Sequence, residues 1–184
     1  MKTKLFTSLI AIPGLLVSLA LSAFAAASPL KDSDLKLLQK VTQGSAAEVE
    51  LGRLAEQRAS QASVKEFARK MVQDHQRMAA DASRLAREHG AAIASQPGAE
   101  EKKELNKLKN VRGAEFDRQY IEGMLDDHKT DVAEVAKYIA SHGDSPLVPF
   151  LKSTLPRLED HLRIAENVAG QIGVKPDAGL NRVS

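Results

Sequence analysis

The segment SVKEFARKMVQDHQRMAADASRLAREHG, residues 63–90, decides the fold of this chain. Val64, Phe67, Met71, Met78, Ala82 and Leu85 recur in steps of three and four, with His75 in the remaining inner position. That is the period of an amphipathic helix. Ser63 and Glu66 have the spacing of a capping box and predict the start; Gly90 predicts the stop. A helix with one apolar stripe must bury it against partners, so the rest of the chain has to supply them.

Three further stretches do so. Asp32 or Ser33 is expected to cap a first helix running to about Ala59, with Leu37, Val41, Glu48, Leu51 and Ala55 on one face. A third long helix is expected from about Ala114 to His142, where Ile121, Met124, His128, Val132, Val135 and Ile139 share a face and Gly143 follows. Ser145-Pro146 reads as the N-cap and first residue of a fourth. Its stripe is Leu151, Leu155, Leu158, His161, Leu162 and Ala165, and Gly170 is expected to end it. Residues 91–98, with Pro97-Gly98, form a connector, and Glu100 to Asn110 forms a short charged helix with a solvated face. No stretch alternates like a strand. The expected fold is all-α: an up-down four-helix bundle over residues 32–170, with a short extra helix in the connection between the second and third long helices.

The two ends read differently. Lys2 and Lys4, an apolar run from Leu5 to Leu21 and Ala23-Phe24-Ala25 have the layout of a signal peptide over residues 1–25, with an alternative cut after Ala27. Residues 171–184, with Pro176 and Gly179, read as a disordered tail. The signal segment holds two lysines and no acid, so the net charge of +2 belongs to it and the remainder is balanced. A neutral, mixed-sign surface argues against nucleic acid or anionic lipid as a dedicated partner. The chain contains no Cys, which excludes disulfides, thiolate metal sites and thiol catalysis. Partner proteins and oligomeric state are left open.

Helical phase then singles out a chemical feature. Glu48, His75, His128 and His161 each occupy a position where an apolar residue is normal. Buried carboxylates and imidazoles need partners, and four such groups on four helices can meet at one level. One reading is a site for one transition-metal ion (zinc, iron, manganese or copper). Asp74, Asp127 and Asp160, each next to one of the histidines, would then reach a neighbouring helix's imidazole and fix its tautomer. The other reading is a metal-free hydrogen-bonded layer that sets the bundle's register. His89 and His142 are assigned to helix ends, where the dipole favours a partly cationic side chain. Met71, Met78 and Met124 are assigned to the core. Di-iron bundles need Glu-x-x-His on two helices, but here Val72, Leu125 and Leu158 precede the three histidines by three. No nucleophile motif accompanies the set, so an enzyme ranks behind a metal-binding or purely structural bundle.

These residues also carry a family resemblance. Ala47-Glu48-Val49-Glu50-Leu51-Gly52-Arg53-Leu54-Ala55, Met71-Val72-Gln73-Asp74-His75, Phe116-Asp117-Arg118-Gln119-Tyr120-Ile121 with Asp127-His128, and Leu155-Pro156 with His161-Leu162 resemble the bacterial exported family called domain of unknown function 4142. The resemblance covers about residues 34–170. It implies a ferritin-like four-helix bundle in the periplasm, often labelled a putative outer-membrane protein, and a context of envelope stress. It brings no established activity. Nothing in the chain reads as barrel strands.

Overall fold

The computed structural model describes residues 30–175, so the expected signal peptide and residues 176–184 lie outside the described part. Five helices follow one another: α1 (Asp32–Arg58), α2 (Ala62–Glu88), α3 (Ala99–Leu108), α4 (Gly113–Ser141) and α5 (Val148–Ile172). No strand occurs among the described residues. The four long helices pack at the corners of a square in the order α1, α2, α5, α4, and α3 lies against α1 and α4. The expected all-α bundle with a short extra helix is therefore the observed one.

Cross-helix contacts set the directions. Ser45 meets His75 and Gly52 meets Val72 across α1 and α2. Asp34 bonds Tyr138 and Lys40 bonds Glu134 across α1 and α4, while Ser60 near the other end of α1 bonds Asp117. Both pairs are antiparallel. Directions thus alternate up and down around the square, with α2 and α4 parallel at opposite corners. The chain manages this because residues 89–112 travel back along the bundle: Ala94 bonds Gln39 near the start of α1, and Leu108 packs into the same cluster as Phe116.

Burial divides the interior in two. One apolar cluster is built around Phe67, Met71, Phe116, Tyr120 and Ile121, the other around Leu38, Met78, Ala82, Leu147 and Leu151. The methionines expected to fill the core do so. Gly52 sets the approach of α1 to α2. A Cβ there would lie 2.7 Å from Val72 Cγ2 and 3.0 Å from the Ala68 carbonyl oxygen, too close without movement of one helix.

Helix ends depart from the sequence reading in instructive ways. The first helix begins at Asp32 after Lys31, and its capping side chain is neither Asp32 nor Ser33 but Asp34, whose carboxylate accepts the Lys31 N–H at 2.9 Å. Asp34 also accepts hydrogen bonds from Tyr138 and from Ser145 Oγ (2.7 Å), tying α1 to the turn between α4 and α5. The Ser63 capping box does not form as the start of α2. That helix starts at Ala62, and Asp117 of α4 accepts the backbone N–H groups of Ser60 and Gln61 at 2.9 and 3.0 Å, plus the Ser60 hydroxyl. A tertiary carboxylate has replaced the local cap. Ser145 Oγ does accept the Leu147 N–H at 3.1 Å, but a tight turn intervenes and α5 proper begins at Val148. Gly170 does not end α5, which continues to Ile172 and is closed by Gly173 at φ 74°. Val174, within the expected tail, is buried in the core, and residues 176–184 of that tail lie outside the described part. His89 and His142 cap the ends of α2 and α4 as assigned.

Removing the tertiary cap should cost more than removing the local one. Asp117→Ala is expected to lower unfolding free energy by about 1–2 kcal/mol in urea denaturation, whereas Ser63→Ala should change it by less than about 0.5 kcal/mol. Equal effects would show that Asp117 does not cap α2.

Candidate metal centre

Between the two apolar clusters lies a polar layer contributed by all four long helices. Ser45 and Glu48 come from α1, Asp74 and His75 from α2, His128 from α4, and Thr154 and His161 from α5, all of them buried. The helical phase that placed the histidines inward is reproduced: His75, His128 and His161 are 3%, 1% and 0% exposed. Their ring centroids are 5.2–5.7 Å apart. One ring nitrogen from each lies within 4.8 Å of the others, a compact set of buried groups able to hold a metal ion.

The partners of the other nitrogens orient the rings. His128 Nδ1 is 2.9 Å from the Met124 carbonyl oxygen, which can only accept. His161 Nε2 is 3.0 Å from Asp74 Oδ2. Burial works to raise the Asp74 carboxyl, but bonds from His161 and Lys70 outweigh it and hold it below the usual range. It is therefore an ionised acceptor. His75 Nδ1 lies 3.4 Å from Ser45 Oγ, a hydroxyl that can donate or accept. Two tautomers are thus set: His128 presents a bare Nε2 and His161 a bare Nδ1. These two atoms, with His75 Nε2 and Glu48 Oε2, are buried and find no protein partner.

The electrostatics keep the imidazoles neutral. Burial pushes His128 down to about 4, helped by His161 and opposed by the Met124 carbonyl. His75 is pushed well down by burial and by the other two rings, and His161 is lowered by burial against the pull of Asp74. Glu48 moves the other way, raised well above its ordinary value by burial and then by Asp127 and Asp131.

The four candidate ligands and three supporting aspartates end in different places. The three histidines form the compact set. Glu48 stands beside it, in the wall of a cavity of about 180 Å³ that also exposes His75. Of the aspartates, Asp74 reaches a neighbouring helix's histidine. Asp160 instead pairs with Arg163 and Lys70 on the surface side. Asp127 lines the cavity with Glu48, and burial, assisted by Glu104 and Asp131, pushes it up to about 7. Ser45, the Met124 carbonyl and Lys70 were not singled out from sequence. Ser45 carried a signal, since it lies one helical step before Glu48 on the inward face; a backbone carbonyl carries none.

Fold and site together define an all-α bundle with an inward three-histidine cluster at its middle. The chain belongs to the family described as "Domain of unknown function (DUF4142)", whose model matches residues 19–168. Among solved structures it is similar to a DUF305 fragment from Deinococcus radiodurans, with TM-score 0.67, 17% identity, and coverage of 78% of this chain and 99% of that one. It is also similar to a putative secreted DUF305 protein from Streptomyces coelicolor, with TM-score 0.64, 13% identity, and coverage of 78% and 95%. At these identities the likeness shows the fold. No curated protein matches the chain.

Asp127 gives the site a testable pH dependence. Its folded-state value of about 7 exceeds the unfolded one, so its burial costs stability above pH 7 and that cost fades as pH falls toward 4. His128 acts oppositely, because only the unfolded state gains a proton between pH 6.5 and about 4. Asp127→Asn should therefore stabilise metal-free protein more at pH 8 than at pH 5, by on the order of 1 kcal/mol after allowing for solvent screening. Urea denaturation at both pH values checks this; an equal gain at both would contradict it.

Proposed function

We propose that this protein is an exported bundle that binds one transition-metal ion through His75 Nε2, His128 Nε2 and His161 Nδ1, with Glu48 as fourth ligand. One observation carries the reading: four buried, unpartnered atoms of metal-ligating type on four helices, two of them imidazole nitrogens left bare by fixed tautomers. A hydrogen on His75 Nε2 can answer one bare nitrogen, whereas a cation answers all three. Neutral imidazoles and one carboxylate suit zinc, iron, manganese or copper. Zinc holds imidazole nitrogens at about 2.0–2.1 Å, which places them roughly 3.3 Å apart, so binding would draw the rings closer than in the metal-free arrangement. Asp74 would orient His161 and make it a better donor.

The single-ion geometry suits binding, storage or sensing of a metal. Export is supported by the layout of residues 1–25 and by the similarity to the Streptomyces coelicolor protein described as a putative secreted one. No helix among the described residues is long and apolar enough to cross a membrane.

Metal analysis of untagged protein should find close to one equivalent per chain, lost in His75→Ala/His128→Ala. Asp74→Asn should weaken binding about 10–100-fold in competition with a chelator. Metal that is substoichiometric and unaffected by the double variant would sink the reading. In that case, replacing Glu48 and the three histidines by matched apolar residues should preserve or raise thermal stability, as a register layer predicts.

A further inference from the structure

The cavity beside the histidines has a composition that the three-histidine cluster does not explain. It opens between α1 and α4, beneath the start of α3. Its wall carries the carboxylates Glu48, Glu101, Asp127, Asp131 and Glu134, against Lys40 as the one lysine or arginine. Lys40 is bonded to Glu134 at the outer end, where the two side chains are 49% and 41% exposed. Exposure then falls inward: Asp131 and Asp127 are half-buried, Glu48 is 7% exposed, and His75 at the inner end is 3% exposed.

Two features make this more than a cluster of acids. Glu48 Oε2 and His75 Nε2, both on the cavity wall and more than nine-tenths buried, have no protein partner. The wall is also held open at Gly44, where a Cβ would meet nothing within 4 Å. Asp127 and Asp131 are four residues apart on one helix face, an arrangement that costs stability unless a cation lies between or beside them. A volume of about 180 Å³ accommodates a partly hydrated ion, since a water occupies about 30 Å³.

We infer that this cavity is the passage by which a hydrated divalent cation reaches the three histidines, with Asp131, Asp127 and Glu48 as successive oxygen ligands. The inference rests on the metal-binding reading above and adds the route to that site. The carboxylates raise the local cation concentration and replace waters one at a time as the ion moves inward. Only the innermost stage offers nitrogen. A metal that prefers imidazole therefore stays there.

Loading of Co²⁺ into metal-free full chain, followed by its visible absorbance in a stopped-flow instrument, tests the route. Asp127→Asn/Asp131→Asn should load about tenfold more slowly at low ionic strength and lose most of the salt dependence of the rate. Gly44→Leu, which fills the passage without changing charge, should slow loading and chelator-driven release together, leaving affinity within about threefold. Both should still reach the wild-type end point, with unchanged far-UV circular dichroism. Asp81→Asn/Glu88→Gln, on the exposed face of α2, should load like wild type. Wild-type loading rates in the first two variants overturn the passage alone. A folded Asp127→Asn/Asp131→Asn that never loads also overturns it, because those residues would then be ligands of the bound ion. Failure of wild type to take up Co²⁺ overturns the histidine site, and the passage with it.

Discussion

Three uncharged imidazoles share a buried layer with too few protein hydrogens to satisfy them, and the rest of the structure is arranged around that shortage. The Met124 carbonyl and the Asp74 carboxylate each take the hydrogen from one ring, so the opposite nitrogens of His128 and His161 carry lone pairs facing inward. A buried polar atom without a partner costs about 1–3 kcal/mol. The layer is nevertheless held in place, because apolar clusters on both sides pin the register of all four helices. Sliding one helix by a residue would take its histidine out of the layer and expose part of the core with it.

The surroundings of the layer are lopsided in charge. On the α2–α5 side, Lys70 bonds Asp74 at 2.9 Å and Asp160 at 3.3 Å, so the negative charge behind His161 is neutralised where it meets solvent. On the α1–α4 side, the acids of the cavity outnumber the single lysine. Burial pushes Asp131 up to about 6 although Lys40 pulls it down. The layer is thus closed and compensated on one side, and open and electron-rich on the other. A cation is the species that this asymmetry favours.

Periodicity made the fold legible because each long helix must bury one stripe, and Glu48, His75, His128 and His161 stand out as titratable groups within the stripes of α1, α2, α4 and α5. The same periodicity brought those four inward, since a residue's phase on a helix is a local property. Caps were less legible. Ser63 has the local pattern of a helix start, yet Asp117, 56 residues from Gln61 in sequence, supplies the bonds. Gly170 looked like a stop, but a glycine inside a helix costs only about 1 kcal/mol relative to alanine, and the packing of Val168, Ala169 and Val174 carries α5 past it. The three Asp-His steps look equivalent in sequence. Their neighbours separate them: Asp74 meets a histidine, Asp160 meets Lys70 and Arg163, and Asp127 meets the cavity.

Sequence alone determined an all-α bundle and the inward placement of one carboxylate and three histidines, because helical phase depends only on spacing along the chain. It also excluded a di-iron centre of the Glu-x-x-His kind, because the positions three before the histidines are apolar. Tertiary structure decided which nitrogen of each ring is free, which aspartate supports the site, and which face carries the cavity. Those outcomes depend on the direction and rotation of helices packed side by side, and on the long α2–α4 connection that lays α3 over the α1–α4 seam. No pattern within a single helix encodes them.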